Sequence, residues 1–272
     1  MNAMTGALSA DLPIYDERRP EMRMQPLKAW HHFQNLLKDK ENTEEVFHIF
    51  EALPWRNLRG RAEAFLRSER GQALRLTEPY LPAILDDHAA LRQTPEGSLA
   101  HAYCDFMESE GLTAQGLVDE FDRFAAKRER FEDQFLWYLN RMRDVHDMLH
   151  VLTGYGRDAL GEACVLAFTY SQQPSPAHLF IGYMAGVNIN RQTKRSAPVL
   201  RAVREGQRLG KACPRLCEQS IKELLPLPIE EVRARLNITP AMHYKEAHGI
   251  WRGMGIDPYD LLGKNAAKKL AA

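Results

Sequence analysis

The chain has 272 residues and carries 36 basic and 36 acidic side chains, so its formal net charge is zero. A general nucleic-acid-binding protein usually has a basic excess, and the balance here excludes that class. Four cysteines are too few for a disulfide scaffold in a chain of this length, and no segment approaches the roughly 20 apolar residues of a membrane-spanning helix.

Helical periodicity recurs along the chain, and convincing strand-like alternation of apolar and polar residues is absent. Leucine, alanine, glutamate and arginine dominate the composition, whereas the β-branched residues are few, which favours helix over strand. We therefore predict an all-α fold, a single multi-helix domain whose helices are joined by short Gly/Pro breaks. Residues 1–25 are predicted as an irregular lead-in, residues 26–263 as the helical domain and residues 264–272 as a flexible tail.

Several helix ends can be predicted from capping residues. Thr43 is predicted to be the N-cap of an early helix because two glutamates follow it. Gly154 is predicted to end a central helix, and Asp158 to cap the next one. Thr239, which precedes a proline, is predicted to cap a helix near the C-terminus.

Two of the cysteines, Cys213 and Cys217, are close together in the sequence C-P-R-L-C. This spacing is a weak indication of a metal site because no histidine is nearby. The simpler interpretation is that these are reduced thiols in a reducing compartment.

The strongest chemical signal is the segment H-D-M-L-H-V-L-T-G-Y-G-R-D-A-L-G-E at residues 146–162. His146 and His150 are four residues apart, so they share a helix face, and Asp147 lies in the same sector at about 100° per residue. The glycine turn lets the chain reverse, so that Glu162 on the next helix can face the histidines. Two imidazoles and two carboxylates are typical ligands for zinc or a similar divalent ion.

Other interpretations of this segment remain open. The zinc-protease signature H-E-x-x-H has a glutamate where this chain has the shorter Asp147, which weakens the hypothesis of a hydrolase that activates water on a metal. Packed, hydrogen-bonded core histidines are a second alternative. A helical phosphohydrolase that pairs H-D with a distant histidine and aspartate is a third, and the compact H-D-x-x-H with Glu162 argues against it.

The sequence R-D-V-H-D-M-L-H-V-L-T-G-Y-G-R-D-A-L-G-E, residues 143–162, resembles the hallmark of the ubiquinone (coenzyme Q) biosynthesis protein 4 family. So does T-P-E-G-S-L-A-H-A-Y-C-D-F-M-E-S-E-G-L, residues 94–112. The resemblance is clear over residues 94–189 and looser on either side. It implies an all-helical fold and a divalent metal, usually zinc, with His146, Asp147, His150 and Glu162 as ligands and catalytic residues.

The resemblance also implies a function. Family members bind polyprenyl lipids and are assigned the oxidative removal of the C1 carboxyl of a polyprenylated hydroxybenzoate, which is a precursor of the benzoquinone. The alternative function is a non-catalytic lipid-binding scaffold that organises the ubiquinone-biosynthetic enzymes. We expect other ubiquinone-biosynthesis proteins as partners, peripheral association with the inner membrane from the cytoplasm, homo-oligomers and no nucleic acid.

A nearly all-apolar stretch over residues 179–187 is a candidate for the prenyl-binding surface, although a buried core helix is the simpler interpretation. Within it we single out Phe180, Tyr183, Met184 and Val187. The basic residues that follow could contact a lipid head group or the carboxylate of the substrate, although the solvated start of a helix is the simpler interpretation; these are Arg191, Lys194 and Arg195.

Overall fold

The computed structural model describes residues 12–39 and 42–261. Across these residues the regular elements are helices, with one isolated β-bridge between Ser98 and Pro228. The predicted all-α class is confirmed. Residues 12–25 contain no helix, the predicted lead-in over residues 1–25 stays a prediction, and the predicted tail at 264–272 lies outside the described residues.

The chain divides into two compact units, the first formed by residues 1–148 and 215–232 and the second by residues 149–214 and 233–272. Two of the three boundaries, 148/149 and 232/233, fall inside helices, and the third, 214/215, lies in a loop. The predicted single domain over residues 26–263 stays a prediction.

The first unit contains the helices of the N-terminal half and a short returning segment. The complete helices are α1 Pro26–Leu36, α2 Thr43–Ala52, α3 Leu58–Leu66, α4 Glu69–Thr77, α5 Leu81–Leu85, α6 His88–Leu91, α7 Leu99–Glu110, α8 Ala114–Ala125, α9 Gln134–Asp144 and α14 Ile221–Leu224. The unit also includes the start of α10 His146–Thr153, as far as Met148, and the start of α15 Ile229–Arg235, as far as Val232. A buried ion pair, Arg141 Nη2 to Glu78 Oε2 at 2.7 Å, fixes the returning segment, because Glu78 also accepts from the backbone amides of Ile221 and Lys222.

The second unit is built around three long helices and a C-terminal one. They are α11 Ala159–Gln172, α12 Pro176–Gln192, α13 Val199–Ala212 and α16 Met242–Gly253. Glycines bring the backbones close together: a Cβ at Gly206 of α13 would lie 2.5 Å from the Cys164 carbonyl oxygen of α11, and one at Gly210 would lie 2.1 Å from the Phe168 carbonyl oxygen. The close crossing of α11 and α13 therefore depends on glycine at these two positions, because any side chain there would overlap the backbone of α11.

The predicted helix ends are partly confirmed. Gly154 has φ 72°, and Asp158 caps α11 by accepting from the amides of Leu160 and Gly161 at 3.1 and 3.2 Å. Two predicted caps are wrong. Asn42, not Thr43, precedes α2, so that Thr43 is its first helical residue, and α16 begins at Met242, two residues beyond the position expected from a cap at Thr239.

None of the helices in the described part of the chain combines the length and the hydropathy that a membrane-spanning helix requires.

Candidate metal centre

The H-D-x-x-H segment forms α10, a continuous helix of eight residues from His146 to Thr153. His146 and His150 lie one turn apart on this helix, so its own geometry sets their spacing. Gly154 then takes the left-handed conformation, and a short loop leads to α11. The sequence prediction of a helix, a turn and a second helix is confirmed here.

His150 is held in one orientation by the loop that follows α10. It is 1% exposed, and its Nδ1 lies 3.0 Å from the carbonyl oxygen of Tyr155. A carbonyl can only accept, so Nδ1 carries the proton and donates. In the neutral ring this leaves the lone pair on Nε2, which is the tautomer that ligates a metal.

Glu162 lies on α11, where its amide bonds to the Asp158 carbonyl oxygen at 3.0 Å. Its Oε2 is 3.6 Å from His150 Nε2, and its side chain is 35% exposed. The lone pair of the neutral imidazole and the carboxylate therefore face the same space, which favours a shared cation. Arg157 Nε, 3.9 Å from Glu162 Oε1, supplies part of the positive charge around this carboxylate.

His146, His150 and Glu162 are brought together, and we call them the donor triad. Their ligand atoms lie within 4.8 Å of one another. Two ligands of a tetrahedral zinc ion are roughly 3.4 Å apart, and the 3.6 Å between His150 Nε2 and Glu162 Oε2 is close to that separation. The donor set of two imidazoles and one carboxylate fits a divalent ion and leaves further coordination positions open.

Asp147, the fourth predicted ligand, is not in the donor triad. Its carboxylate acts on other groups of the same unit. Burial raises the pKa of Tyr103 above its ordinary value, and the negative charge of Asp147 adds to that effect. Burial also raises the pKa of Asp144 to about 6, with Arg143 opposing and Asp147 reinforcing the shift. The structure thus places Tyr103, from the second sequence motif, within the electrostatic reach of Asp147.

A second group of potential ligands consists of His88, Cys104 and Glu108. Glu108 already has two partners, His88 Nδ1 at 3.0 Å and Arg92 Nη2 at 2.8 Å. Hydrogen bonds from His88 and then Arg92 lower the pKa of Glu108. Because the Arg92 guanidinium occupies the position beside this carboxylate, an ion-pair network explains the cluster better than a metal does. Cys213 and Cys217 belong to no such group among the described residues.

The four residues predicted to contact lipid lie on the partly exposed side of α12. Phe180, Tyr183, Met184 and Val187 follow the spacing i, i+3, i+4, i+7 and are each half-buried. The opposite side is buried, and Gly182 approaches the backbone of α11 there. The helix is therefore neither wholly buried nor wholly exposed.

The three basic residues predicted to contact a head group are exposed at the end of α12. Arg191 is in the last turn, so the interpretation as a helix start is wrong. Lys194 and Arg195 have φ 51° and 59°, and their amides bond back to Arg191 and Asn190 in a Schellman motif. Their contact with a head group stays a prediction.

Sequence reasoning missed a buried network beside the loop. Tyr244 and His248 of α16 both bond to the Asp158 carboxylate, and the hydroxyl of Tyr244 accepts from the Gly156 amide at 2.9 Å. The spacing of Tyr244 and His248 by one helical turn was visible, but their partner lies more than 80 residues away in sequence.

The sequence profile of the family described as Coenzyme Q (ubiquinone) biosynthesis protein Coq4 matches residues 33–242. The chain belongs to the Coq4 family. The matched residues include the donor triad and both sequence motifs and end at Met242, the first residue of α16. Membership confirms the predicted family and assigns the chain a role in ubiquinone biosynthesis.

Curated relatives agree with the Coq4 assignment. The human ubiquinone biosynthesis protein COQ4 homolog, mitochondrial, is 27% identical over 196 residues, 69% of this chain and 68% of the human one. The bovine homolog is 25% identical over 68% of this chain and 66% of its own length. A Culex quinquefasciatus homolog is 30% identical over 100 residues, and the chain spans only 42% of that relative.

A Nostoc punctiforme protein assigned to ubiquinone biosynthesis has a similar fold, with a TM-score of 0.57 at 23% identity. The similarity covers 79% of this chain and 98% of the Nostoc one. This likeness supports the helical fold.

Proposed function

We propose that this Coq4-family chain catalyses a metal-dependent step of ubiquinone biosynthesis, the oxidative removal of the C1 carboxyl from a polyprenylated hydroxybenzoate. The observation that supports it best is the donor triad, in which three potential protein ligands, rather than four, lie close together in the described part of the chain. Structural zinc sites are closed by four protein ligands, whereas catalytic sites keep a position open for substrate. A purely structural metal in a lipid-binding scaffold is therefore the less favoured alternative.

The residues of the chain would share the work at this site. His150 presents a neutral nitrogen fixed by the Tyr155 carbonyl, and Glu162 contributes the negative charge that attracts a divalent ion. A bound divalent ion would supply Lewis-acid stabilisation of negative charge on a ring oxygen. The half-exposed Glu162 leaves this side of the triad accessible to a substrate.

The proposed reaction has two parts whose atoms balance. In the first, the bond between C1 and the carboxylate breaks, carbon dioxide leaves, and the electron pair left on C1 takes up a proton. In the second, C1 gains one oxygen atom from dioxygen, and a two-electron donor with two protons reduces the other oxygen atom to water. The reaction thus needs dioxygen and a reductant as co-reactants.

The test is to incubate metal-loaded protein with a polyprenylated hydroxybenzoate that carries an isotopically labelled carboxyl carbon, with dioxygen and a reductant. Labelled carbon dioxide and the C1-hydroxylated ring are expected. Metal-stripped protein is the control. Turnover that is equal with and without metal, or no turnover while the protein still supports ubiquinone synthesis in cells, would favour the scaffold function.

The prenyl chain is proposed to lie along the half-exposed stripe of α12. Its apolar residues are Phe180, Tyr183, Met184 and Val187, and Arg191 continues the stripe one turn further, where it could meet an anionic group. On α11, Leu166 and Tyr170 follow Glu162 at i+4 and i+8 and are also half-buried. This apolar surface of α11 begins at the donor triad.

Met184→Lys tests the prenyl-binding surface. We expect extraction of the purified variant to yield less isoprenoid than the wild type, because a charge in the stripe disfavours apolar ligands. Gln192→Lys adds the same charge at an exposed position of the same helix and should leave the isoprenoid content unchanged. Equal isoprenoid content in both variants and the wild type would exclude this surface.

Peripheral membrane association is proposed to involve α1 and the residues that flank it. Five of the large exposed apolar side chains are concentrated here: Met22, Met24, Leu27, Trp30 and Leu37. Leu27 is 85% exposed. An amphipathic helix that carries aromatic and aliphatic side chains with basic neighbours is typical of a bilayer-surface contact. Residues 21–39 contain three basic and two acidic side chains, so apolar contact should contribute more than charge.

The paired substitution Leu27→Glu with Trp30→Glu should abolish sedimentation with anionic phospholipid vesicles. Leu76→Glu, at another exposed leucine of the same unit, is the matched control and should bind as the wild type does. Loss of binding in both proteins, or in neither, would contradict a contact through α1. Location in the cytoplasm and homo-oligomer formation stay predictions.

A further inference from the structure

The carboxylate of Asp158 is the centre of a fully buried network in the second unit. Its side chain has no exposed surface, and its Oδ1 accepts from the Leu160 and Gly161 amides at the start of α11. Two side chains of α16 complete its hydrogen bonds. The hydroxyl of Tyr244 donates to Oδ2, and His248 Nε2 donates to Oδ1 at 3.2 Å. The carboxylate thus links α16 to the first turn of α11.

Tyr244 also contacts the loop between α10 and α11. Its hydroxyl accepts from the Gly156 amide at 2.9 Å, and its ring meets the ring of Tyr155 edge-on, with centroids 5.2 Å apart. A Cβ at Gly156 would lie 2.9 Å from that hydroxyl and 2.3 Å from the hydroxyl of Tyr259, so both hydroxyls lie close to the loop backbone. The loop is therefore held by side chains from the C-terminal part of the chain.

This network reaches the donor triad by two routes. The Tyr155 carbonyl, adjacent to the Gly156 amide, fixes the Nδ1–H tautomer of His150. Asp158 caps the helix turn on which Glu162 lies, and its own carbonyl accepts from the Glu162 amide at 3.0 Å. The hydroxyl of Tyr244 therefore bonds both to the peptide group that contains the Tyr155 carbonyl, through the Gly156 amide, and to the carboxylate of Asp158.

We propose that Tyr244 and His248 are positioning residues for His150 and Glu162, and that α16 completes the metal centre. The inference rests on the proposed metal-binding function of the donor triad. Both residues lie beyond residue 242, where the match to the Coq4 family profile ends, so the family motif alone does not contain this part of the site. Partners that orient metal ligands in this way typically change metal affinity by about 10- to 100-fold when they are removed.

Tyr244→Phe is the decisive variant, since it keeps the ring against Tyr155 and removes both hydrogen bonds. Tyr138→Phe is the matched control, because that hydroxyl is also buried and also donates to a carboxylate, Glu218 Oε1 at 3.2 Å, in the other unit. In metal-free protein, the imidazole nitrogen chemical shifts of His150 should show the Nδ1–H tautomer in the wild type and the control. Tyr244→Phe should show a mixture of tautomers.

Metal affinity is the second readout. Competition with a chromogenic chelator should give a Zn²⁺ affinity about 10- to 100-fold lower for Tyr244→Phe than for the wild type, with no change for Tyr138→Phe. Unchanged tautomer and unchanged affinity in Tyr244→Phe would overturn the inference. If the wild type binds no metal, the proposed function fails, while the tautomer comparison still decides whether Tyr244 positions His150.

His248 provides an independent pair of variants should Tyr244→Phe fail to fold. His248→Gln keeps a donor that can reach Asp158 and should retain most of the metal affinity. His248→Leu removes the donor and should have a lower metal affinity. Equal affinity in the two variants would contradict a positioning role for His248.

Discussion

At the scale of single residues, the hydrogen bond from His150 Nδ1 to the Tyr155 carbonyl decides the chemistry of the donor triad. It leaves Nε2 as the ring atom directed at Glu162. A histidine with this arrangement acts as a metal ligand without further rearrangement of the ring. The cluster around His88 differs in its carboxylate, because Glu108 is already paired with Arg92 Nη2 at 2.8 Å and with His88 Nδ1 at 3.0 Å.

His150→Ala should abolish stoichiometric metal binding, because it removes the best-oriented ligand of the three. His88→Ala is the matched control and should bind as much metal as the wild type. Elemental analysis of both purified variants, loaded with the same metal and dialysed together, measures the metal-to-protein ratio of each. A metal lost from His88→Ala and kept by His150→Ala would place the centre in the other cluster.

Glu162→Gln keeps the size of the side chain and one oxygen donor but removes the negative charge. We expect a folded protein with lower metal affinity that cannot restore ubiquinone synthesis in a deletion strain, because the two remaining ligands are neutral. Circular dichroism, a metal-binding titration and a complementation assay test these three points. Full restoration by metal-free Glu162→Gln would show that the metal is not needed for the function.

The four cysteines are all buried, and this should make them unreactive in the folded protein. Burial raises the pKa of the Cys217 thiol to about 11 and that of Cys213 to about 12, and it also raises the pKa of Cys104 and Cys164. Since the thiolate is the reactive form, a thiol reagent at neutral pH should label the native chain slowly and all four cysteines rapidly in denaturant. Rapid labelling of one native cysteine would contradict its burial.

At the scale of helices, contacts distant in sequence satisfy several helix ends. The first amides of α8 bond to Asp86, in addition to the local cap Thr113. The N-terminus of α16 bonds to Glu205 of α13, which accepts from the His243 amide at 2.9 Å. This explains why the predicted cap at Thr239 is wrong, since the helix takes its acceptor from another part of the fold.

Gly210→Ala tests the close crossing of α11 and α13. A Cβ there would overlap the Phe168 carbonyl oxygen, so we expect a loss of about 1–3 kcal/mol in the free energy of unfolding. Gly249→Ala on α16 is the matched control. It has nothing within 4 Å of the added carbon and should gain about 1 kcal/mol from its higher helix propensity. Denaturant unfolding of both variants measures the difference, and equal effects would contradict the close packing.

At the scale of the whole molecule, metal binding should be coupled to folding, because the donor triad joins two helices. An ion that binds only the native state at 100 times its Kd adds about 2.7 kcal/mol to the free energy of unfolding. Removal of metal with a chelator should therefore lower Tm by several degrees, and excess metal should restore it. His150→Ala should show no such shift, and a shift of wild-type size in that variant would indicate metal binding elsewhere.

The helical class and the approach of His146, His150 and Glu162 to one another could be predicted from the sequence alone. Both follow from local geometry: a four-residue spacing places His146 and His150 on one face, and Gly154 with Asp158 reverses the chain within a few residues to bring Glu162 back. Capping residues located the start of α11 for the same reason. These features depend on neighbours in the sequence, which helical periodicity describes directly.

The side chains that support the donor triad depend on tertiary contacts, which the sequence pattern does not predict. Asp147 shares the helical sector of the histidines, yet it lies outside the donor triad and acts on Tyr103 and Asp144 instead. Tyr244 and His248 meet Asp158 across more than 80 residues of sequence. Periodicity predicts the face on which a side chain lies but not the element that packs against that face, because the pairing of helices depends on the packing of the complete core.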